Sequence, residues 1–568
     1  AWYTVDGIFT RKSSSSRPRH LTNDDLSNHY TRGVSYKEIF PNKELGTNDN
    51  TTLPVLNLAF YPNERGPYNL DAENVNSDGT LGNPEKRWGG VMRKIEPSDL
   101  ESANYEYIEF WLLDPYLEDE TAEGGDLYFN LGEISEDILK DERKFFENGM
   151  PVDGDMSKVD TTVWGKVPRT QSTGYAFDAQ NRELQDVGLN GLSTEEEQTF
   201  PTYADYLNKL RAKLSGETIS KMMDDPFSPF NDPAGDNYHY FRGDDYDAKE
   251  LDILSRYKRY NGTEGNSQES DQRYATAGKS TPDVEDINGD NTLNETEKYF
   301  EYKISLRPKD LQVGVNNIVD ERTPEVTLMN GDKEKVKWYL FKIPIKDYEK
   351  RVGAIRDFKT VRFMRMYMTG FRKSTVLRFG TLELVRGDWR TYTQDLSNPL
   401  VPPKSDGQIV VSSVNIEENG QRQPVNYVLP PGISRMFDSS QPQLLQQNEQ
   451  ALSMKITDLS PADARAVYKS TAYDLRRYKR LQMFAHAEAP IDESKTLSNG
   501  DFSVFIRLGS DYKNNYYEYE VPLDLTPHST ILYNTNNSAD QEKVWPLNNT
   551  LNFKLETLTD LKLERNKL

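Results

Sequence analysis

The 568-residue chain has no cysteine. That excludes a disulfide framework, thiolate zinc sites and a thiol nucleophile, while leaving Asp/His metal sites open. Histidine is scarce: His20, His29, His239, His486 and His528 are the five present, and no HExxH occurs among them. The GxSxG elbow, the phosphate-binding GxxxxGK and a GxGxxG following a strand are missing too. No apolar run approaches the length of a membrane-spanning helix. Positive charge is in deficit. A net charge of −22 argues against nucleic acid, whose phosphates demand clustered Lys and Arg.

Aromatic residues are plentiful, with 33 Tyr and 23 Phe, although only 35% of the chain is hydrophobic. That mixture favours aromatic-rich strands joined by long polar loops over a compact helical enzyme. The chain opens at Ala1 and closes in DLKLERNKL, so it reads as an excerpt of something longer, and missing targeting segments carry little meaning.

A Ser-rich basic loop, TRKSSSSRPRH (10–20), leads in. Alternating, β-branched or aromatic runs then predict strands at YEYIEFWLL (105–113), DLYFNLG (126–132), YFEYKISL (299–306), VKWYLFKIPI (336–345), TVRFMRMYMTGF (360–371) and TVLRFGTLELV (375–385). Between the second and third lies an insertion, about 133–297, with three predicted helices. One spans about 136–147, with Ser135 as N-cap and Gly149 just past its end. Another spans about 202–214, with Tyr203, Tyr206, Leu207 and Leu210 at helical spacing. The third spans about 248–260, opened by Asp247 and closed before Gly262.

LSNPLVPPKSDG (396–407) reads as a linker, since clustered proline continues neither helix nor ladder. Beyond it the chain echoes itself. YIEFWLLDP with GGDLYFNLG (107–132) is matched by LQMFAHAEAP with NGDFSVFIRLG (481–509), and YFEYKISLRP (299–308) by YYEYEVPLDL (516–525). The expected fold is mainly β with helical insertions: tandem jelly-roll or β-sandwich-like units. Expected boundaries are a lead-in at 1–45, a first unit at 46–392, a linker at 393–410 and a truncated second unit at 411–568. A helix opening at Ser460-Pro461 would pack on a sheet edge of the second unit.

The sharpest local chemistry is DINGDNTLNETE (286–297). Alternating oxygen donors closed by a twelfth-position Glu are the pattern of a Ca²⁺ loop. The ligands would be Asp286, Asn288, Asp290, the Thr292 carbonyl, Asn294 and Glu297, with Asn291 taking the left-handed turn. NVNSDGTLGNPE (74–85) repeats the design more weakly through Asn74, Asn76, Asp78, Thr80 and Glu85. Neither loop has helices on both sides, and metal-free Asx turns are the competing reading. A structural Ca²⁺ at 286–297 would anchor the insertion before the strand YFEYKISL.

Other constellations carry less. His486 and Glu488 in FAHAE alternate as on a strand, suggesting a polar face before an acid/base pair. Glu109 and Asp114 flank Trp111 as sugar chemistry would need, but an acidic chain offers dozens of such pairs. Trp88, Trp111 and Tyr116 could form a carbohydrate platform or could sit in the core. Met364, Met366 and Met368 share one face, which a packed core explains better than a partner-binding strip. No catalytic residues are expected.

Several phrases together resemble the SprA/Sov family: YPNERGPYNLD (61–71), PEKRWGGVMR (84–93), YIEFWLLDP (107–115), LYFNLGEISEDILKD (127–141), DNYHYFRGDDYD (236–247), DVEDINGDNTLNETE (283–297), IRDFKTVRFMRMYMTGF (355–371) and LRFGTLELVRGDWR (377–390). These are very large outer-membrane proteins of the type IX secretion system of Bacteroidetes, tied in some members to gliding motility. The resemblance implies a non-enzymatic part of a protein-secretion translocon in the outer membrane or at the cell surface. It implies as partners a small companion barrel, a plug, periplasmic subunits and secreted cargo. High polarity and long loops do not suit barrel wall, so water-exposed domains attached to the pore are expected. The alternative is a surface adhesin or carbohydrate-binding β-sandwich protein.

Overall fold

The computed structural model describes residues 1–46, 50–147, 151, 153, 155–170, 177, 185, 187–260, 282–393, 396, 407–437, 445–471, 473–489 and 497–567. It divides into two compact units, Ala1–Val34 with Thr52–Arg386, and Ser35–Thr51 with Gly387–Leu568. Gly149, Gly262 and most of the stretch 396–407 lie outside the described residues.

The first unit is built from β1 (Trp2–Tyr3), β2 (Leu56–Phe60), β3 (Trp88–Lys94), β4 (Tyr105–Leu113), β5 (Asp126–Glu133), β6 (Lys298–Ser305), β7 (Ile318–Arg322), β8 (Trp338–Pro344), β9 (Lys350–Val352), β10 (Phe363–Thr369) and β11 (Thr375–Arg386). One sheet runs β1-β2-β11-β4-β8-β7 and the other β9-β6-β5-β10-β3. Among the eight strands β2, β3, β4, β5, β6, β8, β10 and β11, the first pairs with the last, the second with the seventh, the third with the sixth and the fourth with the fifth, all antiparallel. That nesting is a jelly roll.

Period-two alternation explains the sandwich. Leu127, Phe129 and Leu131 on β5 face Ile108, Phe110 and Leu112 on β4 through one continuous core. Phe110 stacks on Phe341, 4.7 Å between centroids. Met364, Met366 and Met368 lie in this core, so their shared face is a packed one. Gly90 on β3 has the reason of space: a Cβ there would come within 2.6 Å of Met366 O.

The insertion carries α1 (Thr194–Glu197), α2 (Pro201–Lys213), α3 (Gly216–Met223), α4 (Asp244–Ala248) and α5 (Ile253–Tyr257). α2 fulfils the reading of 202–214, with Tyr203, Tyr206, Leu207 and Leu210 buried. The helix expected over 248–260 is instead two short ones. Glu250 sits at φ +51°, and Asp252 caps α5 by accepting from Ser255 N at 2.6 Å. Asp247 lies inside α4, where Arg256 donates to it at 2.7 Å.

No helix forms over 136–147. The N–H groups of Ile138, Leu139 and Phe145 donate to the buried Glu285 carboxylate at 2.9, 3.1 and 2.8 Å. Lys140 and Glu142 adopt φ +55° and +61° to wrap around it. Carboxylates thus outcompete the helical ladder.

The second unit contains β12 (Gln408–Asn415), β13 (Gln450–Thr457), β14 (Arg480–Met483), β15 (Ser503–Gly509), β16 (Tyr516–Pro522), β17 (Leu551–Lys554) and α6 (Ser538–Val544). They pair as β12–β13, β14–β17 and β15–β16. A small core gathers Ile416, Val425, Tyr427, Val428, Tyr533, Val544 and Trp545. The helix expected from Ser460-Pro461 is a turn. Asp463 N donates to Ser460 O, Ala462 takes φ +64°, and the Asp463 side chain binds Ala464 N and Arg465.

Candidate metal centre

In the loop 286–297, Asn291 takes the left-handed turn at φ +66°. Asp286 accepts the N–H groups of Gly289, Asp290 and Asn291 at 2.8, 3.1 and 2.8 Å. Asn288 Oδ1 accepts from Asp290 N, and Asp290 accepts from Thr292 N and Oγ1. The Asn294 side chain turns to Ile134 O at 2.7 Å. Glu297 points elsewhere: Arg365 holds both its oxygens, at 3.1 and 3.3 Å, and Ser135 N donates to one. A different carboxylate supports the loop. Glu136, fully buried, accepts from Asn288 N at 3.1 Å and Asn294 N at 3.2 Å. Desolvation, then the nearby charges of Asp286 and Asp290, raise its affinity for a proton against those hydrogen bonds.

The loop 74–85 closes on itself. Asp78 accepts from Thr80 N and Oγ1, Asn76 Nδ2 donates to Thr80 Oγ1, and Gly79 supplies a turn at φ +89°. Asn74 turns to Asp71, and Glu85 falls in the short 3-10 turn Pro84–Lys86. Thr218 Oγ1 donates to Ser77 O at 2.9 Å, tying this loop to α3.

Among the described residues, the one group of three carboxylates or imidazoles close enough to share an ion lies elsewhere. Glu197, Asp232 and Asp236 are all buried, with one oxygen from each within 4.8 Å of the others. α1 delivers Glu197: Ser193 caps it through a capping box with Glu196, turning Glu197 inward. The other two come from NDPAGDN (231–237), where Gly235 turns at φ +79°. Glu197 accepts from Asn190 Nδ2 at 2.8 Å and Ala234 N at 2.9 Å. Asp232 accepts from Gly235 N at 2.9 Å, and Asp236 from Tyr68 Oη at 2.8 Å. Arg65 lies alongside, donating to the carbonyls of Pro233 and Asp232.

Burial pushes the Glu197 carboxyl up to about 7 against its two hydrogen bonds, with Asp232 adding to the rise. Burial raises Asp232 also, and raises Asp236 well above the carboxylate range, reinforced by Glu197 and Asp232. Three such groups repel one another when ionised, and the Arg65 guanidinium alongside offsets that charge only in part. Either they hold protons, or they offer a hard divalent ion such as Ca²⁺ an all-oxygen pocket. Sequence spacing reaches only Asp232 and Asp236, four residues apart around a glycine turn; Glu197 comes from a separate helix.

Residues 205–568 match the SprA_N family model, described as motility related/secretion protein. The chain belongs to the SprA_N family. The match takes in most of α2, the loop of Asp232 and Asp236, loop 286–297 and the whole of β6 to β17, leaving Glu197 just before it. Comparison with curated proteins finds no match.

The remaining candidates in this SprA_N chain have ordinary partners. His486 Nε2 lies 3.4 Å from Glu488, but both fall past the end of β14, and Arg422 holds the same carboxylate. Burial would raise Glu488, yet His486 and Arg422 outweigh it and bring the group down to about 2. That is an ion-paired carboxylate, unsuited to proton transfer near neutral pH. Glu109 pairs with Lys342 at 3.0 Å, and Asp114 accepts from Tyr116 N at 3.0 Å. Trp111 and Tyr116 are buried at 1% and 8% exposure, whereas Trp88 is 73% exposed.

Proposed function

We propose that this chain forms water-exposed, non-enzymatic scaffold domains of an outer-membrane protein-secretion translocon of the type IX kind. The observation that carries the reading is the SprA_N match, over well more than half the chain, on a β-rich fold. It is supported by site chemistry: each sequence candidate for catalysis is engaged in an ion pair, a turn or the core. No helix among the described residues is long and apolar enough to cross a membrane. In this reading the jelly roll and its insertion are rigid parts of a larger assembly that includes a companion barrel, a plug, periplasmic subunits and passing cargo.

A structural Ca²⁺ belongs to the same proposal. At 286–297 the backbone already turns at Asn291 and orients Asp286, Asn288 and Asp290. Each carboxylate that accepts an N–H keeps lone pairs for an ion. Closure by Glu297 would require it to leave Arg365.

The test of the secretory reading is depletion of the parent protein in cells. Accumulation of normally secreted proteins in the periplasm is the expected result. Unchanged secretion with loss of binding to surface polysaccharide would favour an adhesin, for which Trp88 alone of the three aromatic candidates is placed to touch a sugar.

A further inference from the structure

Two strand pairs in different units share one register. In the first unit, β5 and β6 set Gly132 opposite Tyr299, Leu131 opposite Phe300 and Asn130 opposite Glu301. In the second, β15 and β16 set Gly509 opposite Tyr516, Leu508 opposite Tyr517 and Arg507 opposite Glu518. A Cβ added at Gly132 would lie 2.8 Å from Tyr299 Cβ, and one at Gly509 would lie 2.8 Å from Tyr516 Cβ. Leu306 N donates to Gly125 O at 2.8 Å, and Leu523 N to Phe502 O at 2.8 Å. A guanidinium covers each tyrosine, Arg365 at 4.9 Å and Arg507 at 4.2 Å. β15 and β16 are therefore counterparts of the fourth and fifth strands of the jelly roll, and β14–β17 nest around them as third and sixth do.

The units differ at the far edge. β5 is flanked by β10, with Arg362 N donating to Gly132 O at 3.0 Å. Among the described residues, β15 pairs with β16 alone. Phe502 O and Ser510 N are both bonded on the β16 side. Strand alternation then aims the main-chain groups of Ser503, Phe505, Arg507 and Gly509 at the open edge. Val504, Ile506 and Leu508 stay half-buried, whereas their counterparts Leu127, Phe129 and Leu131 are wholly covered.

We propose that the edge of β15 accepts an extended strand from a partner polypeptide. It runs antiparallel, in the register that β10 holds on β5. Unit one states the chemistry of the occupant. It carries bulky apolar residues at alternate positions, as Met364, Met366 and Met368 do over Leu131, Phe129 and Leu127. It also carries an aromatic opposite Phe505, as Tyr367 stacks on Tyr128 at 4.7 Å. Main-chain bonds would supply affinity and the alternating side chains selectivity. The inference does not depend on the secretory reading.

The test uses the full chain and a fluorescent peptide with the β10 sequence VRFMRMYMT (361–369). Saturable binding is expected, with new hydrogen-exchange protection confined to residues 503–509. Phe505→Pro removes one edge N–H without touching the β16 ladder. It should weaken binding at least tenfold, while Phe505→Ala, which keeps that N–H, should lose less. Unchanged protection over 516–522 shows that β16 remains paired in the variant. Should the proline variant unfold, exchange on the unaltered chain decides. Absence of binding, equal binding by Phe505→Pro, protection elsewhere, or a dimer with β15 protected before peptide is added would each overturn the proposal.

Discussion

The Glu285 carboxylate holds the N–H of Phe145 at 2.8 Å across 140 residues of chain. It is one of three buried glutamates joining the two ends of the insertion. Glu136 binds Asn288 N and Asn294 N, and Glu147 binds Gly188 N and Asp283 N. Glu285→Ala strands three N–H groups, those of Leu139 and Phe145 buried and that of Ile138 partly so, and is expected to cost about 2–4 kcal/mol. Urea denaturation of the purified chain measures it, and hydrogen exchange should quicken over 136–147 before the sandwich strands open.

Stability should also depend on pH near neutrality. Glu197 and Glu285 are both lifted from 4.5 to about 7 by burial. The folded chain therefore binds more protons than the unfolded one between those values. Their contribution is full below about 4.5 and is lost as pH rises through about 7, roughly 3 kcal/mol per group at most. Glu197→Gln should flatten that slope in midpoints measured from pH 4.5 to 8. A slope equal to that of the unaltered chain would show that Glu197 titrates normally.

Calcium gives a separate handle. If the ion sits at 286–297, Asp290→Ala lowers Tm more in Ca²⁺ than in chelator, where only its bonds to Thr292 are lost. Equal losses in both would assign Asp290 to the metal-free turn with Thr292. A Ca²⁺-dependent rise that survives Asp290→Ala but vanishes in Asp236→Asn would move the ion to the buried triad.

Gly188 sits at φ +98°, and a side chain there would collide with Asp236 Oδ2. Gly188→Ala should destabilise the chain by about 2–4 kcal/mol, combining a left-handed backbone with a clash. Thermal unfolding of the variant checks this.

Strands were the most legible level of the sequence. YEYIEFWLL is β4 residue for residue, and the other five expected runs lie within three residues of β5, β6, β8, β10 and β11, because alternation is imposed by burial on one face. LNLAF and WGGVMRK, which became β2 and β3, escaped notice: one is short between prolines and the other starts with an exposed Trp followed by two glycines. Residues 136–147 misled because helical composition cannot reveal a carboxylate 140 residues away that takes the N–H groups. The buried triad was hidden similarly, since Glu197 meets Asp232 and Asp236 only through folding. The acidic loops were legible as turns, with Asn291 in the left-handed conformation expected of it, whereas the destination of Glu297 was set by Arg365 on another strand.

The most direct measurement is to tag the full-length parent protein, extract it gently from outer membranes and identify what copurifies by mass spectrometry. The account predicts a small companion barrel, plug-like subunits and trapped secreted cargo in stable proportion. A protein recovered alone, or with surface polysaccharide only, would contradict it.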